Sequence, residues 1–319
     1  MKAAIYTKFG PPEVLQVMEV PAPVPKENEV LVRIHATTVE KEDPDCRKGP
    51  GFNGILKPKK PILGMELAGE IEAADRNVTR FKTGDKVYGN AGLGLGTYAE
   101  YICLPEDGAL AIKPDRMSYK EAAAVTNGAL TALPFLRDLA DIRRGQRILV
   151  NGASGSVGTA AIQIAKYYGA IVTGVCSTKN LDMVKSLGAD NVIDYTKEDF
   201  AKTSETYDII FDVAGKTSYS RCKHLLSPNG IYLSTVPTPA ILLGMLFTSK
   251  SRGRKVKFAA TGLRKQSDKA KDLFFLKDII DAGKFRAVID SSYPLEQIAR
   301  AHEHVEKGHK HGSVVITIE

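Results

Sequence analysis

The spacing of hydrophobic residues along the chain changes near residue 120. Before that point the apolar runs are short and proline or glycine interrupts them, so residues 29–36, 64–73, 81–89 and 94–101 are predicted as short strands and turns. From residue 147 onwards, apolar β-branched runs alternate with stretches that carry apolar residues at helical spacing. The pattern therefore predicts a β-rich segment followed by an α/β segment.

The clearest unit of the α/β segment lies between residues 146 and 179. Residues 147–150 form an apolar strand pattern, residues 159–168 have helical spacing, and residues 170–176 are typical of a second buried strand. A glycine-rich loop joins the first strand to the helix. Strand, glycine loop, helix and strand in this order predict the first half of a dinucleotide-binding fold.

The glycines of this loop have separate roles. Gly152 and Gly155 let the backbone turn tightly and approach a pyrophosphate, and Gly158 lets the helix pack close to the strand. The N–H groups at the helix start then face the phosphates, helped by the helix dipole. The alternative to a phosphate-binding loop is an ordinary surface turn, but such a turn would not require a strand, a helix and a second strand at these positions. The candidate cofactor-binding residues of the loop are Ser154, Gly155, Ser156, Val157 and Gly158.

The end of the second strand indicates which cofactor fits. Chains that bind NAD carry an acidic residue about 20 residues after the glycines, where it bonds the ribose 2′-hydroxyl. This chain has Ser177, Thr178 and Lys179 there instead. Hydroxyls and an amine can donate to a 2′-phosphate, and the lysine neutralises its charge. We therefore predict NADPH, with a solvated loop lysine as the alternative role of Lys179.

Two later strand ends supply further candidates for the cofactor site. Tyr195 follows a third strand at residues 191–194 and is predicted to stack on or bond near the adenosine. Val236 ends a fifth strand at residues 230–236, and that end is expected beside the nicotinamide, because ligands of such sheets bind at the carboxyl ends of the strands.

Residues 153–158, 176–178 and 187–195 together resemble the medium-chain dehydrogenase/reductase superfamily, and within it the zinc-free quinone oxidoreductase branch. The resemblance covers nearly the whole chain. It implies an α/β fold with a doubly wound Rossmann domain and a GroES-like, partly open β-barrel catalytic domain. It places the catalytic domain at residues 1–122 and 264–319, and the NADP(H)-binding domain at residues 123–263.

The same resemblance bears on metal binding. The histidine position of the zinc alcohol dehydrogenases is Met65 here, and residues 37–39 hold no cysteine where the first ligand would lie. A thioether does not replace imidazole for Zn²⁺ at ordinary affinity, so no metal site is predicted. The C-terminal histidines are expected at a solvated helix end, with a metal cluster as the alternative. They are His302, His304, His309 and His311.

Two candidate catalytic residues, Thr131 and Asp45, also come from the resemblance. Thr131 matches the threonine that the family places beside the nicotinamide; the alternative is a helix hydroxyl bonded to its own backbone. Residues 40–49 match the loop that lines the substrate cleft, with Glu40 and Asp45 in place of its usual asparagine and tyrosine. The alternative is a charged surface loop. Ser313 stands where the family carries a lysine.

Composition adds limits to this picture. The chain has 319 residues, 43% hydrophobic and 25% charged, which suits two globular cores. Its four scattered cysteines suggest reduced thiols, and with no apparent signal peptide we expect a cytoplasmic protein. The net charge of +7 suits an anionic cofactor, although weak nucleic-acid affinity is an alternative.

Apolar residues 239–247 before the basic run at 250–255 predict a helix over the substrate cleft or, alternatively, at a membrane surface.

The function expected from the sequence is zinc-independent, NADPH-dependent reduction of quinones or α,β-unsaturated carbonyls by hydride transfer. Two alternatives remain: an enoyl-thioester reductase, and a protein that binds NADPH without turnover. The resemblance also implies a homodimer, because family members pair the last strand of the nucleotide sheet, here residues 256–260, across a two-fold axis.

Overall fold

The computed structural model describes residues 1–249 and 253–318. The chain divides into two compact units, one of Met1–Asn127 with Gly262–Glu319 and one of Gly128–Thr261. The divisions lie a few residues from those expected, and the first of them falls inside the helix Tyr119–Leu133.

The strands, in chain order, are β1 (Lys2–Ile5), β2 (Gln16–Glu19), β3 (Glu29–Val39), β4 (Glu66–Ala74), β5 (Lys86–Asn90), β6 (Tyr101–Pro105), β7 (Ala109–Ile112), β8 (Arg147–Asn151), β9 (Ile171–Cys176), β10 (Asn191–Asp194), β11 (Tyr207–Asp212), β12 (Leu226–Ser234), β13 (Lys255–Phe258), β14 (Ile289–Pro294) and β15 (Ser313–Thr317). The α-helices are α1 (Glu42–Lys48), α2 (Tyr119–Leu133), α3 (Ser156–Tyr167), α4 (Leu181–Ser186), α5 (Tyr219–Cys222), α6 (Pro239–Ser249), α7 (Gln266–Asp281) and α8 (Ile298–Glu306).

The first unit is built on a seven-stranded, mostly antiparallel sheet. Its order is β14-β15-β3-β4-β5-β7, and β6 pairs with β3. Along β3 the buried side chains alternate with more exposed ones, as Val30, Val32 and Ile34 turn into the core and Arg33 turns out. This sheet corresponds to the GroES-like, partly open barrel, and the predicted fold class is confirmed.

The second unit contains a parallel six-stranded sheet of order β10-β9-β8-β11-β12-β13. Its central strands are apolar along their length because α-helical connections cover both faces of such sheets. The order in which strands are added to the sheet reverses between β8 and β11, which are parallel neighbours. Their carboxyl ends therefore meet at the topological switch point, where open α/β sheets bind their ligands.

A capping box is present at the start of α2, between Ser118 and Glu121. The backbone N–H of Ser118 donates to Glu121 Oε2 at 2.8 Å, and the N–H of Glu121 donates to Ser118 Oγ at 3.3 Å.

Residues 40–49 do not form a charged surface loop, which was the alternative to a loop that lines the substrate cleft. They include the helix α1, and Glu40, Asp43 and Arg47 are buried. Arg47 is fully enclosed, where it pairs with Glu306 and donates to the backbone oxygen of Gly10. Ion pairing thus lets a highly charged sequence enter the interior of the first unit.

The expectation of a solvated helix end is wrong for His302. Its side chain is fully buried on the inner face of α8, beside Ile298 and Val305. Arg47 Nε donates to His302 Nδ1 at 3.3 Å. Burial and the positive charge of Arg47 lower the pKa of His302 to about 3, so the imidazole is neutral and serves as an acceptor.

Residues 95–100, expected to continue a strand pattern, are largely irregular ahead of β6.

The helix α6 presents an apolar outer face. Ile241 is buried, whereas Leu242, Leu243, Leu246 and Phe247 are exposed, Phe247 to 81%. The start of the basic run that follows, at residues 250–252, lies outside the described residues. Within the described part of the chain, the helices are too short or too polar to cross a bilayer.

Candidate nucleotide site

The glycine-rich loop follows β8 and turns back into α3. Gly152 adopts φ +90°, a left-handed conformation that side chains with a Cβ rarely adopt. A Cβ on Gly158 would lie 2.1 Å from the backbone oxygen of Gly152. The start of α3 therefore packs directly on the loop backbone, and only glycine permits that approach.

The N-terminus of α3 leaves backbone donors for a ligand. Gly155 is the N-cap and gives no side-chain cap, and the first intrahelical bond runs from the N–H of Thr159 to Gly155 O at 2.8 Å. The earlier N–H groups of the helix have no intrahelical acceptor. The buried Ser156 Oγ also makes no hydrogen bond. This donor set suits a phosphate anion, as the sequence indicates for Ser154 to Gly158.

The carboxyl end of β9 leads into a single 3₁₀ turn, Thr178–Asn180. Ser177 is half-buried, and its Oγ accepts a bond from Asn180 Nδ2 at 3.3 Å. Thr178 and Lys179 are exposed. All three residues lie at the edge of the sheet that the sequence assigns to the cofactor.

An acidic residue that sequence reasoning missed lies beside this turn. Asp194 ends β10 and is in register with Cys176, the last residue of β9. Its carboxylate accepts bonds from Thr178 Oγ1 at 2.5 Å and from Thr196 Oγ1 at 2.7 Å. These bonds lower the pKa of Asp194, which is therefore ionised at neutral pH. Spacing along the sequence points only to the end of β9, whereas this acid comes from the neighbouring strand.

The remaining candidates of this unit lie on three different elements. Tyr195 follows Asp194, is 56% exposed, and its N–H bonds Cys176 O at 3.1 Å. Val236 lies just beyond β12 and close to Gly215, where an added Cβ would be 2.7 Å from a Val236 methyl group. Thr131 is half-buried on α2.

A buried network that the sequence did not reveal fixes the switch point. Asp212 ends β11 and accepts bonds from Asn151 Nδ2 at 2.8 Å and from Tyr232 Oη at 3.1 Å. It also accepts from the N–H of Gly215 at 3.1 Å. Burial raises the pKa of Asp212, although these bonds oppose that effect. The network ties together the ends of β8, β11 and β12, which keeps the ligand edge of the sheet rigid.

The first unit has its own buried polar cluster around Glu66. Glu66 accepts bonds from Thr38 Oγ1 and Asn90 Nδ2, each at 3.0 Å. Lys269 Nζ contacts Asn90 Oδ1 at 3.4 Å. Burial and the nearby charge of Asp43 raise the pKa of Glu66 well above its ordinary value. This cluster occupies the region next to Met65, where zinc-dependent relatives would place their histidine.

Glu40 forms a buried ion pair at the edge of that cluster. Lys310 Nζ lies 2.7 Å from Glu40 Oε2, and the two side chains are 12% and 4% exposed. The N–H of Glu40 donates to Asp43 Oδ2 at 2.8 Å, and burial raises the pKa of Asp43 to about 7. Asp45, the candidate catalytic carboxylate, is exposed on α1 instead of joining this cluster.

The donor set does not fit a zinc ion. Thr37 Oγ1 is committed to the backbone oxygen of Glu66 at 2.7 Å, and Met65 offers only a thioether. In residues 1–249 and 253–318, no group of three or more His, Cys, Asp or Glu side chains is arranged to hold a metal ion.

Comparison with known proteins agrees with this geometry. Residues 26–115 match the family model of the alcohol dehydrogenase GroES-like domain, and residues 187–316 match that of the zinc-binding dehydrogenases. The chloroplast envelope quinone oxidoreductase homolog of Arabidopsis thaliana is 33% identical over 99% of this chain and 98% of its own length.

Two solved structures share the fold over the whole chain. The quinone oxidoreductase of Coxiella burnetii is 30% identical with a TM-score of 0.87, covering 100% of this chain and 99% of its own. The quinone oxidoreductase of Escherichia coli, solved in complex with NADPH, is 26% identical with a TM-score of 0.85, covering 99% of this chain and 100% of its own. The chain therefore belongs to the medium-chain dehydrogenase/reductase superfamily, in its quinone oxidoreductase-like branch.

Proposed function

We propose that this protein is a zinc-independent, NADPH-dependent oxidoreductase that reduces quinones or α,β-unsaturated carbonyls. The observation that carries the proposal is the phosphate cradle at the start of α3, with Lys179 at the adjacent end of β9. The family of oxidoreductases to which the chain belongs supports it.

Each residue of the site has a role in holding the cofactor. The free N–H groups of α3 and the hydroxyl of Ser156 bind the pyrophosphate, and Lys179 with Ser177 binds the 2′-phosphate. Val236 and Thr131 position the nicotinamide ring. The bound nicotinamide supplies the hydride, and the protein supplies position and a site from which water is excluded.

Among the described residues no set of donors fits a zinc ion, and this limits the reaction class. An alcohol oxygen must lose its proton before hydride leaves its carbon, and a zinc ion normally assists that step. A quinone or enone accepts hydride at an electron-poor carbon without such help, and a solvent proton completes the reduction. Asp45 is proposed to contact the substrate.

We expect the purified protein to oxidise NADPH with a quinone or an enone and to show little NADP⁺-linked oxidation of ethanol. Assays with a quinone, an enone and an enoyl thioester, each with and without a chelator, test this. Preference for the thioester would favour the enoyl-thioester reductase, and no turnover with any acceptor would favour a binding protein. Chelator-sensitive activity together with one bound zinc per chain would contradict zinc independence.

We also propose a homodimer that works in the cytoplasm. The strand β13 forms one edge of the six-stranded sheet, and α6 beside it exposes an apolar face. An edge strand and an exposed apolar face both favour association with a second copy of the chain. The free cysteines suit a reducing compartment. Sedimentation at micromolar concentration should give twice the chain mass; a stable monomer would contradict the dimer.

A further inference from the structure

The carboxylate of Asp194 is enclosed at the carboxyl edge of the nucleotide sheet. Its side chain is 8% exposed, and Lys197 Nζ lies 3.7 Å from Oδ2. The N–H and the hydroxyl of Thr196 both bond Oδ1, at 3.0 and 2.7 Å. Thr178 Oγ1 bonds Oδ2 at 2.5 Å. The acid is thus locked in place next to the turn that carries Lys179.

These contacts determine whether the hydroxyl of Thr178 can donate or only accept a hydrogen bond from a ligand. An ionised carboxylate only accepts, and a threonine hydroxyl has a single hydrogen to give. Since that hydrogen points to Asp194, Thr178 Oγ1 offers only lone pairs in any other direction. Lone pairs attract the ribose 2′-hydroxyl of NADH and repel the oxygens of a 2′-phosphate.

Lys179 and Asp194 therefore act in opposite directions at the same edge. The ammonium group of Lys179 favours a 2′-phosphate, whereas the carboxylate repels one through its charge and through the orientation it imposes on Thr178. Ser177 differs from Thr178, because its Oγ accepts from Asn180 and keeps its own hydrogen for a ligand.

We propose that Asp194 is a specificity-determining residue that limits the preference for NADPH over NADH by holding Thr178 as an acceptor. This inference rests on the nucleotide site of the proposed function. An asparagine at position 194 would place an amide donor against Thr178 Oγ1 and release the threonine hydrogen toward a 2′-phosphate, while removing one negative charge.

The test is a titration of NADPH and NADH against the wild type and Asp194→Asn. The ratio of the two dissociation constants should shift toward NADPH by about tenfold, the effect of one hydrogen bond to a charged group. A loss of structure weakens both cofactors and leaves the ratio unchanged, so the ratio isolates specificity. Asp190→Asn is the matched control, because Asp190 pairs with Lys166 at the opposite end of β10; its ratio should stay at the wild-type value.

A second variant tests the proposed role of Asp194 if Asp194→Asn does not fold. Thr178→Val removes the hydroxyl and keeps the shape, and NADPH affinity should stay within about threefold, because the lost hydrogen never faced the phosphate. An unchanged ratio in folded Asp194→Asn, or a tenfold loss of NADPH affinity in Thr178→Val, would overturn the inference. A wild type that binds neither cofactor would instead overturn the proposed function.

Discussion

Replacement of Lys310 by alanine should lower the free energy of unfolding by about 3–5 kcal/mol. Lys310 is the ion-pair partner of Glu40 Oε2 and also donates to the backbone oxygen of Gly312 at 2.8 Å. The other carboxylate oxygen, Glu40 Oε1, is buried without a hydrogen-bond partner. Loss of the lysine leaves a buried carboxylate unpaired, with Asp43 directly beside it.

Denaturant unfolding of the variant and the wild type measures this change. Lys2→Ala is a suitable control, because Lys2 pairs with Glu296 in the same unit but both side chains are at least half exposed. That variant should lose about 1 kcal/mol or less. Glu40→Gln combined with Lys310→Met should recover much of the stability, since it removes both charges. A loss below about 1 kcal/mol for Lys310→Ala would contradict the buried pair.

Lys179→Ala should weaken NADPH binding roughly tenfold to hundredfold and change NADH binding much less. One charge-assisted contact to a phosphate is worth about 1.5–3 kcal/mol, which corresponds to that range of affinity. Because Lys179 is exposed, the effect should shrink as salt is added.

Titration of both cofactors at low and moderate ionic strength tests the role of Lys179. Lys223→Ala removes an exposed lysine from the turn that follows α5 in the same unit, and it should alter neither affinity. If Lys179→Ala weakens both cofactors alike, the proposed phosphate contact is wrong, whereas equal use of NADH and NADPH by the wild type would contradict NADPH dependence.

The parts of the fold that follow local rules could be predicted from the sequence. The strand, glycine loop and helix from β8 to α3 depend on neighbouring residues, and so does the capping box at Ser118. Apolar runs likewise located the later strands to within a few residues, because strands buried on both faces are apolar along their length.

The parts that depend on distant partners could not be predicted. Residues 40–49 are rich in charge, and only distant partners, such as Glu306 for Arg47, explain why some of their charged side chains are buried. The role of Asp194 likewise requires the parallel register that places it beside Cys176. A charged stretch of sequence indicates an exposed segment only when no oppositely charged residue from elsewhere in the chain pairs with it.

The divided first unit has a consequence for synthesis on the ribosome. The six-stranded sheet is complete once Phe258 has been added, because all its strands come from one continuous segment. Most of β3 pairs early with β4 and β6, but its last residues, Ala36–Val39, pair with β15, which is made much later. The nascent chain therefore carries the end of β3 without its β15 partner while the whole second unit is made, and this short stretch is open to association until then.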